Sequence, residues 1–224
     1  MKAVNRDGIA VTHGVPHAKR LTPADFAEAA GSGRIIDAST DSDRFSEHHF
    51  PQSLFAPLRS PYFSVAVGSY VEAEETLLLI LADEADLDCA RRQLYRIGYD
   101  NYGGWITRAE LAKAGLLKGS LLRRQFGSFD AVAVGQAGHM LDVRTSAEFE
   151  EGHIEGAVSI PYTRLRLRLE DLPEIDGPLH IHCGSGKRAA LAAAYLQSIG
   201  HSVVYVDGVC EECEKIAASQ GVLS

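Results

Sequence analysis

Two stretches of this chain repeat one another about 105 residues apart, so one fold has to be built twice. In RIIDAST and DRFSEHHFPQSLFAP, Asp37, Phe45, His49 and Pro57 align with Asp142, Phe149, His153 and Pro161 of MLDVRTSAEFEEGHIEGAVSIP, offset by 105 residues at the aspartate and by 104 at the other three. Farther along, TLLLILADEADLD aligns with PLHIHCGSGKR, and CARRQLYRIG with RAALAAAYLQSIG. Each half alternates short apolar runs with helical patterns, which specifies a parallel sheet covered by helices on both faces. The expected class is α/β, with residues 1–20 as an N-terminal linker or edge segment, 21–118 as a first domain and 119–224 as a second. Local signals agree. Thr22, Pro23 and Asp25 predict a helix start, carried through Ala30 and ended by Gly31 and Gly33. Thr107 and Glu110 form a capping-box pattern for a short helix that stops near Gly115.

The halves differ where chemistry is expected. In the second, a short apolar strand ends at Cys183 and is followed by Gly184, Ser185, Gly186, Lys187 and Arg188, with a helix predicted from about Lys187. The glycines let backbone N–H groups turn inward, and a helix start adds partial positive charge. A thiol set there has its anion hydrogen-bonded and charge-compensated, so Cys183 is predicted to act as a thiolate nucleophile. The bland alternative is a buried cysteine that happens to precede glycines. The first half has an acidic loop instead, Ala82 to Asp88, with no thiol in the equivalent place. Cys89 falls too late and is expected to be a small packing residue. Ser39 stands where an arginine would partner Asp37.

The loop from Cys183 to Arg188 resembles the active-site loop of the rhodanese sulfurtransferases, and the Asp142-x-Arg144 pair, Glu148-Phe149 and the Gly152-His-Ile-x-Gly-Ala157 turn are similar to that family's preceding motif. The resemblance implies two rhodanese-like domains, the first degenerate and inactive, the second catalytic. It implies that a sulfane sulfur passes from thiosulfate or a low-molecular-weight persulfide, through a persulfide on Cys183, to glutathione or another thiol, or to cyanide in assay. Gly184, Ser185, Gly186, Lys187 and Arg188 would bind the substrate, and Asp142 and Arg144 would brace the site as a structural ion pair. No cofactor or metal is called for. The Cys-Gly-Ser-Gly opening is similar to the mercaptopyruvate branch, but Lys187 and Arg188 favour a compact dianion, hence thiosulfate. A cysteine phosphatase of the related branch would need five residues between cysteine and arginine, and this loop has four. A non-catalytic module that binds a partner would be expected to lose its thiol. The segment before residue 20 resembles the join to a persulfide dioxygenase in known fusion proteins, which makes such an enzyme, fused or separate, an expected partner.

Other candidates are weaker. Cys210 and Cys213 form a lone CxxC without a second pair for zinc; Cys210 is a candidate resolving thiol for a Cys183 persulfide. His180 and His182 share one face of the strand before Cys183 and are expected to be core histidines. His48 and His49 have no metal-ligand spacing and are expected in a turn. A net charge of −8 argues against nucleic acid as a partner. No apolar run approaches the roughly 20 residues of a membrane span, and the first residues lack a signal peptide's apolar core. A cytoplasmic location with no membrane partner is the expectation, and four cysteines do not suggest a secreted disulfide framework.

Overall fold

The computed structural model describes residues 14–128 and 130–208. In chain order its elements are α1 (Pro23–Ala29), β1 (Arg34–Asp37), α2 (Ser42–Glu47), β2 (Leu54–Phe55), α3 (Phe63–Tyr70), β3 (Leu77–Leu81), α4 (Leu87–Arg96), β4 (Tyr102–Thr107), α5 (Arg108–Lys113), β5 (Arg123–Gln125), α6 (Ala131–Gln136), β6 (Met140–Asp142), α7 (Ser146–Glu151), β7 (Val158–Ser159), a 3-10 stretch at Tyr162–Asp171, β8 (Leu179–His182), α8 (Lys187–Ser198) and β9 (Val203–Asp207). The chain divides into two compact units. One holds the described residues up to Ser39 and Ala56–Leu116; the other holds Thr40–Phe55 and the described residues from Leu117 onward.

In the first unit the parallel strands run β1-β3-β4, and every residue of β3, Leu77–Leu81, is buried. A continuous run of leucine and isoleucine is what a strand covered on both faces requires. The predicted helix starts are present: the Thr22 side chain accepts from the Asp25 amide, and Thr107 and Glu110 complete a reciprocal capping box. Residues 19–21 run alongside β4, with the Leu21 amide donating to Trp105 O and the Trp105 amide to Lys19 O, each at 2.9 Å.

Asp37 does have an arginine partner, contrary to expectation. It is wholly buried at the end of β1, and Arg108 Nη1 reaches its Oδ2 at 2.8 Å. Ser39 supplies two further donors, its amide and its hydroxyl, to Oδ1. Adjacency in sequence misled here, because the cation comes from the first residue of α5. The acidic loop is also partnered: Asp83 caps the following turn, Glu84 pairs with Arg20 and Asp86 with Arg59. Cys89 is exposed, not packed; the phase of α4 turns Ala90 and Leu94 inward instead.

The second unit has a parallel sheet in the order β5-β9-β8-β6-β7. Its strands β6 and β8 are buried throughout. In α8 the residues from Ala189 to Leu196 are all buried, and the alanines let this helix lie close to β8, β9 and β2. The Thr40–Phe55 segment is tied into this unit by paired backbone hydrogen bonds between His49 and Gly119, at 2.9 and 2.8 Å, and by Leu121 N donating to Ser46 O. Phe45 stacks on His49 with ring centroids 4.2 Å apart, and Phe149 stacks on His153 at 3.8 Å. Each histidine Nδ1 lies within hydrogen-bond distance of its own phenylalanine carbonyl, at 2.8 and 2.9 Å. The aligned residues therefore adopt the same local geometry twice.

Candidate active site

The site is built where β8 ends. Leu179–His182 are buried in the sheet, and Cys183, next in the chain, is 2 % exposed. After it the backbone turns through Gly184, Ser185 and Gly186 and enters α8 at Lys187, the predicted start. The Ala189 amide, in the first turn of α8, donates to Cys183 Sγ at 3.3 Å. The sulfur thus sits at the start of a twelve-residue helix, where a negative charge is favoured by the helix dipole and by amides that lack intrahelical partners.

Gly186 is the hinge of this turn. It caps the helix with φ +77°, a left-handed conformation, and a Cβ there would overlap Asp207 Oδ1 and lie 2.9 Å from the Tyr205 hydroxyl. Those two groups come from the end of β9 and are themselves fixed: the Tyr205 hydroxyl donates to Asp207 Oδ1 at 2.9 Å, and Arg123 pairs with Asp207 Oδ2 and, at 3.0 Å, with Asp43. Burial opposes ionisation of Asp207, but Arg123, Tyr205 and Gln125 outweigh it and hold the carboxyl below its ordinary range. Burial first, and the Asp207 charge second, push the Tyr205 phenol up, so it stays a neutral donor. Gly186→Ala is therefore expected to cost about 1–2 kcal/mol in backbone strain alone, and to displace the loop from Asp207. Thermal unfolding and alkylation of Cys183 check this: a lowered midpoint and an altered alkylation rate are expected, and an unchanged rate would remove Gly186 from the site.

Of the loop's polar side chains, Ser185 and Lys187 are exposed, and Gly184 is half-buried. Arg188 is held. Its Nη1 and Nη2 each donate at 2.7 Å to one oxygen of Glu148, a bidentate pair. Glu148 also accepts from the amide and hydroxyl of Thr145, as the third residue of the α7 capping box. The Arg188 fork, with Thr145 behind it, pulls the Glu148 carboxyl down to about 2 against the opposing effect of burial. The pair's contribution to stability is therefore present above the ordinary carboxylate range and lost only as pH falls toward 2.

Asp142 and Arg144 form the expected ion pair below the loop. Asp142 is fully buried and Arg144 is 7 % exposed. Arg144 Nη2 lies 2.6 Å from Asp142 Oδ2, its Nε and backbone amide reach the same carboxylate, and Nη2 continues to Gly152 O at 2.7 Å. His182 Nε2 is 3.6 Å from Asp142 Oδ2. Burial lowers the His182 pKa to about 4, outweighing the Asp142 charge, so the ring is neutral near pH 7. His180 is buried as well and is depressed for the same first cause. Both are core histidines, and among the described residues no group of three His, Cys, Asp or Glu is placed to hold a metal ion. No helix among them is long and apolar enough to cross a membrane. Cys210 and Cys213 lie outside the described residues.

The sequence pointed to Cys183, its loop, Asp142 and Arg144. It did not point to the clamp of Glu148 on Arg188, or to Asp207 and Tyr205 behind Gly186. Glu148 had a visible signal, the Thr-x-x-Glu capping box, but nothing local tied it to a residue 40 positions away.

Residues 128–215 match the Rhodanese-like domain. The chain is 36 % identical over 66 residues to the uncharacterized protein YqhL of Bacillus subtilis, a stretch that covers 30 % of this chain and 52 % of that protein. It is 35 % identical over 65 residues to a sulfurtransferase of Allochromatium vinosum, covering 29 % of this chain and 60 % of the relative. With the thiosulfate sulfurtransferase PspE of Escherichia coli it shares 25 % over 75 residues, 33 % of this chain and 72 % of the other. The chain thus spans about half the length of the first of these relatives. A solved structure of thiosulfate sulfurtransferase from Pseudomonas aeruginosa superposes with a TM-score of 0.37 at 19 % identity, over 88 % of this chain and 44 % of that one.

Proposed function

We propose that this chain is a sulfurtransferase of the rhodanese type, carrying a sulfane sulfur as a persulfide on Cys183. One observation carries this: Cys183 Sγ, at a strand end, accepts the Ala189 amide at 3.3 Å beneath a left-handed glycine turn. The match of residues 128–215 to the Rhodanese-like domain and the likeness to sulfurtransferases support it. The Cys183 thiolate attacks the outer sulfur of thiosulfate or of a low-molecular-weight persulfide. The sulfur–sulfur bond of the donor breaks, sulfite or a thiolate leaves with the bonding pair, and Cys183 keeps the outer sulfur as a persulfide anion. A thiolate acceptor such as glutathione then attacks that outer sulfur and restores Cys183.

Within this proposal Gly184, Ser185 and Gly186 shape the cradle, Lys187 meets an anionic donor, and Arg188 with Glu148 fixes the first turn of α8. Asp142 and Arg144 brace the strand end beneath. The first half, with an acidic loop in place of the thiol, takes no part in the chemistry. A persulfide dioxygenase, in the same polypeptide or a separate one, is the proposed source or user of the persulfide, on the resemblance of the N-terminal segment.

Incubating the reduced protein with excess thiosulfate and removing small molecules is expected to raise its intact mass by one sulfur atom. Glutathione or cyanide should return the mass to its starting value. Folded protein that gains no mass from thiosulfate or from glutathione persulfide would overturn the proposal.

A further inference from the structure

Recognition of an anion needs positive charge that is not already cancelled, and the loop has two cations, Lys187 and Arg188. Their surroundings separate them. Lys187 is exposed and makes no ion pair among the described residues. Arg188 is 16 % exposed, and both of its terminal nitrogens are taken by the Glu148 carboxylate in the fork-to-fork form that is the strongest of such pairs. Glu148 cannot readily swing away, because Thr145 donates to it from both backbone and side chain. An anion beside the loop therefore feels Arg188 and Glu148 as a near-neutral pair. At similar distances, the attraction of a second donor charge to the guanidinium is offset by its repulsion from the carboxylate.

From this geometry we infer, resting on the assignment of Cys183 as a sulfur carrier, that Glu148 is a specificity-determining residue: by cancelling Arg188 it turns the site away from dianionic donors and toward donors with a single negative charge, such as persulfides and thiosulfonates. This reverses the preference suggested by the basic loop sequence alone. Thiosulfate and methanethiosulfonate make a matched pair of probes. Each has an outer sulfur on a tetrahedral sulfur centre, a methyl group replacing one charged oxygen in the second. In both, the Cys183 thiolate takes the outer sulfur as a persulfide, and sulfite or methanesulfinate leaves with the electron pair of the broken sulfur–sulfur bond.

The experiment is a charge cycle read as the ratio of kcat/KM for thiosulfate to that for methanethiosulfonate. Glu148→Gln keeps the capping box, which accepts glutamine at that position, and unmasks Arg188. It is expected to raise the ratio about tenfold, and Arg188→Gln, which unmasks Glu148, to lower it by about as much. The double variant should return to within about threefold of the unaltered protein, since the net charge is restored. A merely structural pair would not do this: breaking it from either side would move the ratio in the same direction. A ratio unchanged across the four proteins, or moved the same way by both single changes, overturns the inference while leaving the sulfurtransferase assignment intact. Failure of the unaltered protein to take up sulfur from either probe and from glutathione persulfide is seen before any variant is made, and overturns that assignment instead.

Discussion

Replacing Cys183 by serine is expected to lower sulfur transfer by at least about a thousandfold, since loss of the attacking group in covalent catalysis commonly costs that much or more. An oxygen at this position cannot hold a sulfane sulfur. The fold should survive, because the serine hydroxyl is smaller than the thiol and finds the same Ala189 amide within reach. Two measurements settle the matter together: turnover with thiosulfate and thiol acceptor, and the thermal midpoint. A serine variant that keeps its midpoint and still transfers sulfur would move the chemistry to another residue. One that has lost its midpoint says instead that the thiol is needed for packing, and mass labelling of the unaltered protein then decides the role of Cys183.

The largest stability effect is expected at Asp142. Asp142→Ala takes from Arg144, 7 % exposed, the carboxylate that balances its buried charge, while the contact of Nη2 with the Gly152 carbonyl remains. Breaking a buried pair from one side costs about 3–5 kcal/mol, which for a chain of this size is roughly 6–20 °C in thermal midpoint. Replacing both residues together, Asp142→Leu with Arg144→Met, should recover much of that loss, because no uncompensated charge remains. Equal losses from the single and double variants would show that shape, rather than charge, is what the pair provides. A single variant costing less than about 1 kcal/mol would mean that Arg144 is better solvated than its burial indicates.

The parts of this protein that are legible in its sequence are those decided over a few residues. The start of α8 at Lys187 follows from the glycine turn, the starts of α1 and α5 from Thr22 and Thr107, and β3 from an unbroken apolar run. The Asp142–Arg144 pair was expected only through the family resemblance, although its members lie two residues apart. What sequence did not disclose is pairing across the fold. Glu148 and Arg188 are joined by a sheet that brings α7 and α8 to one end, and Asp207 faces Gly186 only because β9 lies beside β8. Cys89 was misplaced by a smaller error, one position in the phase of a helix whose buried side is set by Ala90 and Leu94.

Two buried aspartates at equivalent places in the repeat are neutralised over very different lengths of chain. Asp142 has its arginine two residues away, whereas Asp37 and Arg108 are 71 residues apart. The first pair can close within a single turn of nascent chain, before any sheet exists. The second must wait until β3 and β4 have formed alongside β1, with the entropy of a long loop to overcome. The cation of Asp37 is therefore expected to arrive late in folding, as one of the contacts of high sequence separation that slow a topology down. Substitutions at Arg108 should accordingly show mainly in the rate of unfolding, and those at Arg144 also in the rate of folding.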